Sequence, residues 1–348
     1  MSKQKVQICN QLWSRRCNLN CSYCRIATTR FKDYTNRPSE YPDVIHYYKE
    51  RPVEDWKEFN LRLVKHNPES FNVLYGGEIF LYRHHTELIK YMNEIGSHYT
   101  IITSANEGIR NIIDKFLNEV EFVHGMTCSI DPGFYNHKVQ IGVTDDAIRK
   151  AHTGYGFLKD LIERKMVTDP VAEITACSEN LEELEKTVEL LSNEGITSSI
   201  TMVDKAHNNY YDFSTLEDEN LLVPKDDKTW KIFERLINSD YKIHMKDLIL
   251  RELYESLPSN GDCELDTIGL HNLTIEPTGE LRLCLRIRGV DMPQFDMLHL
   301  FNKDGSYNKF TYDHIISSIK SDKNSYCQGC NWTCPMMSKR DSQRIINH

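Results

Sequence analysis

The chain has 348 residues, a formal net charge of −9, and 40% hydrophobic and 27% charged side chains. That length exceeds the ~100–200 residues of one ordinary domain and supplies core for a large domain with an appendage, and the composition excludes a disordered chain. The acidic balance argues against a generally basic, phosphate-seeking surface; no run of about 18 apolar residues and no apolar leader follow Met1, so neither a membrane span nor a secretory signal is expected and the expected compartment is the cytoplasm.

In chain order, short β-branched or apolar runs at 6–12, 71–75, 99–103, 122–130, 171–176 and 196–203 read as strands. Between them lie amphipathic stretches at 52–65, 83–95, 108–119, 145–165 and 181–194 that read as helices. The last has Leu181, Leu184, Val188 and Leu191 in helical period, with Asn180 and Glu183 placed as a capping-box start. Strand–helix alternation repeated in this way predicts an α/β fold, a partial (β/α)6 TIM-like barrel whose reactive face is at the C-terminal ends of the strands.

A polar stretch at 207–227 ends the alternation, and two helical segments follow near 228–238 and 245–257. A hairpin signal at 273–276 and 280–285 surrounds Pro277-Thr278-Gly279, and a cysteine-rich tail closes the chain. The expected division is residues 1–225 as the barrel, 226–258 as a helical linker and 259–348 as a small α+β domain rich in cysteine. His84 and His85 are expected at the exposed start of a helix.

Eleven cysteines in a chain of this size, bunched toward its two ends, suggest metal ligation rather than a disulfide framework. Cys9, Cys128 and Cys177 fall in predicted strands and read as packed core thiols. Cys17, Cys21 and Cys24 form a C-x3-C-x2-C loop directly after the first strand. Three thiolates from one loop suit a [4Fe–4S] cluster that keeps one iron without a protein ligand, whereas structural zinc normally takes four ligands. Asn18 and Asn20 favour the turns such a loop needs.

This segment resembles the cluster loop of the radical S-adenosylmethionine superfamily, which has an aromatic residue before the third cysteine, here Tyr23. Gly76-Gly77-Glu78 after the second strand resembles the superfamily's motif for the amino group of the cofactor's methionine. Glycines let the backbone approach a ligand closely, and a carboxylate accepts from an ammonium. The proline usual after that glutamate is Ile79 here. Thr103-Ser104-Ala105-Asn106 and Ser129-Ile130-Asp131 resemble two further motif regions. The resemblance implies that Thr103, Ser104, Asn106, Ser129 and Asp131 meet the cofactor or the substrate, and each also suits an ordinary helix cap. Glu173, Thr175 and Ser178 occupy a fifth-strand region where the resemblance also implies contacts.

Cys263, Cys284, Cys327, Cys330 and Cys334 resemble the ligands of SPASM and twitch extensions, which hold an auxiliary [4Fe–4S] cluster; a structural zinc site remains the rival. Cys263, Cys284, Cys327 and Cys330 would satisfy one cluster, with Cys334 left over or replacing one of them. The resemblance implies an enzyme whose reduced cluster cleaves S-adenosylmethionine to a 5′-deoxyadenosyl radical that abstracts hydrogen from a substrate C–H bond. Expected partners are S-adenosylmethionine, a reductant such as flavodoxin or ferredoxin, and a peptide, nucleoside or small-molecule substrate. Oxidation or cross-linking of a peptide side chain is the first reading of the outcome. Isomerisation of a nucleoside or nucleobase, dehydrogenation of a metabolite, and a non-catalytic iron–sulfur or zinc protein are the alternatives.

Overall fold

The computed structural model describes residues 6, 8–19, 49–133, 145–167, 169–203, 221–244, 246, 272–282 and 295–322. Six strands run parallel: β1 (Ile8–Ser14), β2 (Phe71–Gly76), β3 (His98–Thr103), β4 (Gly125–Ser129), β5 (Asp169–Ala176) and β6 (Thr197–Met202). Helices α1 (Val53–His66), α2 (His85–Glu94), α3 (Arg110–Glu119), α4 (Asp145–Glu163) and α5 (Leu184–Asn193) connect them, and α6 (Asp227–Asn238) follows β6.

The strands lie side by side in sequence order. A doubly wound sheet reverses its strand order at a switch point, so an unreversed order is the winding of a barrel. The six expected strands form, as do the helices expected at 52–65, 83–95, 108–119, 145–165, 181–194 and 228–238, with ends shifted by a few residues. All but residue 246 of the helix expected near 245–257 lies outside the described residues.

Alternation along the strands sorts their side chains. Leu74, Ile101, Met126, Cys128, Ala172, Ile174, Ile200 and Met202 join the helices in one buried core. The opposite face carries Tyr75, Thr100, Ile102, Ser129, Glu173, Thr175, Ser199 and Thr201, which stay half-buried or exposed. Among the described residues this inner face is largely polar.

The C-terminal hairpin joins this sheet. β7 (Asn272–Ile275) pairs parallel with β1 on the side away from β2, and β8 (Glu280–Arg282) and β9 (Phe295–Asp296) continue antiparallel. Gly279, at φ +83°, makes the turn between β7 and β8. Helix α7 (Lys309–Asp322) follows. Among the described residues no helix is long and apolar enough to cross a membrane.

Two local expectations change. Asn180 makes no side-chain cap on the turn that follows it. Its amide instead accepts from the Cys177 N–H at 2.8 Å and donates to the Thr175 carbonyl at 2.9 Å, closing the exit from β5, so its side chain is engaged on the strand side of the turn. His85 is not simply exposed: its ring packs on Phe80 and Phe116, its Nδ1 lies 2.7 Å from the Tyr82 carbonyl oxygen, and burial holds its pKa below the ordinary value.

Candidate active site

β1 ends at Ser14, and the backbone of Ser14, Arg15 and Arg16 carries the chain into Cys17. This run lies directly on Gly76, which ends β2, and Gly77, which follows it. Gly77 N–H donates to Ser14 O at 2.9 Å and Glu78 N–H to Arg16 O at 2.7 Å. A Cβ at Gly76 would collide with the Ser14 carbonyl oxygen, and one at Gly77 with the carbonyl oxygens of Arg15 and Arg16. The glycine pair is therefore required by the protein's own cysteine-loop approach, whatever ligand it also meets.

Glu78 turns inward and is 1% exposed. Its carboxylate accepts from Thr103 Oγ1 at 2.8 Å, Ser104 N–H at 3.0 Å, Ser104 Oγ at 2.6 Å and Phe80 N–H at 3.4 Å. Burial raises its pKa, and these donors pull it back toward the ordinary range. The Phe80 bond caps the short 3-10 turn Ile79–Leu81, so Ile79, buried at 1%, stands where the resemblance expects a proline without opening the turn.

The network continues sideways. Asn106 donates to Ser104 Oγ at 2.7 Å and caps the turn after β3 by accepting from Gly108 N–H at 3.0 Å. Its amide also pairs with that of Asn18, inside the cysteine loop. Ala105, between them, takes the left-handed region at φ 44° with its N–H on Thr103 Oγ1 at 3.0 Å, a conformation that alanine rarely adopts. Gly154 of α4 passes close to both ends: a Cβ there would stand 2.9 Å from Ser129 O and 3.5 Å from Ser104 O.

The structure thus brings Gly76, Gly77, Glu78, Thr103, Ser104 and Asn106 into one cluster with Asn18 at the C-terminal ends of β2 and β3. Ser129 ends β4 and pairs in register with Glu173 of β5, whose carboxylate accepts from Thr201 and Ser199 and whose pKa is raised by burial. Asp131 is fully buried just beyond β4. Of the cysteines, Cys17 is half-buried and its sulfur accepts from Leu19 N–H at 3.4 Å. Cys9, Cys128 and Cys177 are buried core thiols, as expected. Burial pushes Cys177 up to about 11 and raises the other two as well. Cys21, Tyr23, Cys24, Cys263, Cys284, Cys327, Cys330 and Cys334 lie outside the described residues.

Sequence reasoning did not single out Arg15, Glu276, Gly108 or Gly154, and read Asn18 only as a turn former. Two adjacent arginines at the exit of an apolar strand were the one visible signal for Arg15.

No family model matches the chain, and no curated protein matches it. Among solved structures, Streptococcus suis SuiB bound to S-adenosylmethionine superimposes with a TM-score of 0.60 at 16% identity, over 90% of this chain and 68% of that one. SuiB bound to its precursor peptide SuiA gives 0.60 at 15% identity, over 90% of this chain and 67% of that one. Native anSMEcpe with bound AdoMet gives 0.56 at 15% identity, over 98% of each chain. Identity this low speaks to fold. The chain has the partial-barrel fold of the radical S-adenosylmethionine enzymes, shared here with SuiB and anSMEcpe.

Proposed function

We propose that this protein is a radical S-adenosylmethionine enzyme that oxidises or cross-links a side chain of a peptide substrate. One observation carries the reading. A C-x3-C-x2-C loop leaves β1 at the strands' C-terminal face, and its Asn18 is tied by hydrogen bonds to the Asn106–Ser104–Glu78 cluster of β2 and β3.

The residues present suit the cofactor. Cys17 is half-exposed with a backbone N–H on its sulfur, as a thiolate ligand requires, unlike the three thiols sealed in the core. Cys17, Cys21 and Cys24 would hold a [4Fe–4S] cluster with Tyr23 beside it. When bound, that cluster and S-adenosylmethionine supply a 5′-deoxyadenosyl radical able to abstract hydrogen from an unreactive C–H bond.

The chain's own residues shape and hold the site. Gly76 and Gly77 leave the backbone open beside the loop, and Glu78 braces Thr103 and Ser104. Those two, with Asn106, Ser129 and Asp131, ring the strand ends where the cofactor's polar groups would rest. Cys263, Cys284, Cys327 and Cys330, with Cys334 in reserve, would hold an auxiliary cluster in a C-terminal domain from about residue 259, after a barrel of 1–225 and a linker of 226–258. A cytoplasmic flavodoxin or ferredoxin suits the need for one low-potential electron.

The peptide reading draws on SuiB, whose structure holds a precursor peptide, and on an acidic chain that disfavours nucleic acid. Anaerobic reconstitution followed by dithionite and S-adenosylmethionine tests the first half: 5′-deoxyadenosine is expected from the wild type and not from Cys17→Ala. No 5′-deoxyadenosine from the wild type would leave an electron carrier or a zinc protein as the reading. Incubation with candidate peptides tests the second half by mass spectrometry. Oxidation or cross-linking removes two hydrogen atoms from the peptide, and salt-sensitive binding to RNA or DNA in its place would move the substrate to a nucleobase.

A further inference from the structure

The geometry points to Arg15 as a positioning residue for the cysteine loop, held by Glu276 of the C-terminal hairpin, so that the N-terminal cluster site depends on a residue 261 positions away. The three-residue approach to Cys17 is gripped from both neighbours of β1. On the β2 side the grip is backbone: Ser14 O and Arg16 O accept from Gly77 and Glu78. On the β7 side it is charge: the Arg15 guanidinium pairs with the Glu276 carboxylate, with side chains 5% and 3% exposed.

Glu276 is itself fixed. It follows β7 directly, and its backbone closes the hairpin through Glu276 N–H to Glu280 O at 2.9 Å and Gly279 N–H to Glu276 O at 2.8 Å. Arg16, the next residue, pairs with Glu50 in an ion pair half-open to solvent. Exposed pairs of that kind contribute little, whereas a buried charge whose partner is removed must move or rearrange its surroundings. Arg15, two residues before Cys17, therefore cannot shift without shifting the loop.

A buried ion pair is not needed for stability as such, since well-packed apolar residues often replace one at no loss. Its place at the end of the strand that leads into Cys17 gives it a role in placing that loop. Removing the carboxylate alone would also take a negative charge from beside the loop, and that change favours the reduced, more negative state of any cluster held there.

This inference rests on the proposed cluster for its spectroscopic arm and on the chain alone for its other arm. The variants are Glu276→Gln and the double substitution Arg15→Met/Glu276→Met, chosen so that a folded apolar pair is available. Hydrogen–deuterium exchange of metal-free protein is expected to show faster exchange across residues 15–19 in both variants, while global stability of the double variant stays near wild type. After reconstitution, iron of the S-adenosylmethionine-responsive cluster is expected to be lost to a chelator about 10-fold faster, the range for ligand-orienting residues. The change that S-adenosylmethionine induces in its electron paramagnetic resonance spectrum is expected to be weakened, and its midpoint potential in Glu276→Gln more positive. A stable double variant with wild-type exchange at 15–19 and a wild-type spectrum would overturn the proposal. A wild type with no S-adenosylmethionine-responsive cluster would count against the proposed function, and the exchange data would still decide the role of Arg15.

Discussion

Asn18 and Asn106 stand 88 positions apart and exchange hydrogen bonds through both ends of their side-chain amides, Nδ2 of Asn18 to Oδ1 of Asn106 at 2.7 Å and the reverse at 3.1 Å. This pair joins the cysteine loop to the end of β3. Through Ser104 it reaches Glu78, so the loop after β1 and the turns after β2 and β3 form one hydrogen-bonded unit. Such a unit holds these three strand ends in fixed relation to one another.

Asn106→Ala removes partners from Asn18, Ser104 and Gly108 together. Buried polar groups left unpaired cost about 1–3 kcal/mol each, and here solvent reaches some of them, so a total loss of ~1–3 kcal/mol is expected in urea denaturation. Asn18→Ala combined with Asn106→Ala should cost less than the sum of the two. Strict additivity would show that the two amides do not act as a pair.

Gly77→Ala places a methyl group on the carbonyls of Arg15 and Arg16. Backbone cannot yield as a side-chain tip can, so a loss of ~1–3 kcal/mol or more is expected, together with poor iron incorporation on reconstitution. Gly156→Ala is the counterpart. It lies inside α4 with nothing within 4 Å of its Cβ position, and it should gain about 0.5–1 kcal/mol from helix propensity. Equal behaviour of the two variants in thermal melts would contradict the close-contact account of Gly77.

Glu78 makes stability depend on pH with a definite sign. Burial raises its folded-state pKa above the unfolded value of 4.5, so the folded state favours the protonated form. Its contribution is full below 4.5 and is lost as pH rises through the folded-state value. Glu78→Gln has no such proton. The stability of wild type minus that of Glu78→Gln should therefore fall as pH is raised from about 4 toward neutrality, read from denaturant midpoints at each pH. A difference that is flat or rises over that range would show that the donors from Ser104, Thr103 and Phe80 outweigh desolvation.

On the helix side of the sheet, Gln11 donates to Asn60 Oδ1 at 2.8 Å and Asn72 Oδ1 at 2.7 Å and accepts from Trp13 Nε1 at 3.1 Å. Asn72 passes the chain of bonds to Ser97 Oγ at 2.9 Å. All four polar side chains are buried. Gln11→Leu strands the remaining groups and should destabilise by ~1–3 kcal/mol, while adding Asn60→Leu should cost less than its effect alone. Calorimetric melts of the single and double variants decide it, and a neutral Gln11→Leu would mean that the network does not fix the β1–β2 register.

Much of this fold is determined by local sequence. The period-two runs at β2, β3, β5 and β6 and the helical periods of α1, α3 and α5 are short-range patterns, and each predicts its element because burial of one face selects one backbone period. Gly76-Gly77-Glu78 and the Cys17 spacing are contiguous motifs, so the candidate site was also legible as a list of residues. What the list lacked was contact. That Glu78 spends its carboxylate on Thr103 and Ser104, that Asn18 meets Asn106, and that Asn180 bonds backward rather than capping forward all depend on which strand ends become neighbours. The placement of β7 beside β1, with Glu276 against Arg15, joins segments 261 positions apart. No local period encodes such a pairing, because it is settled by the free energy of closing the whole sheet around a shared core.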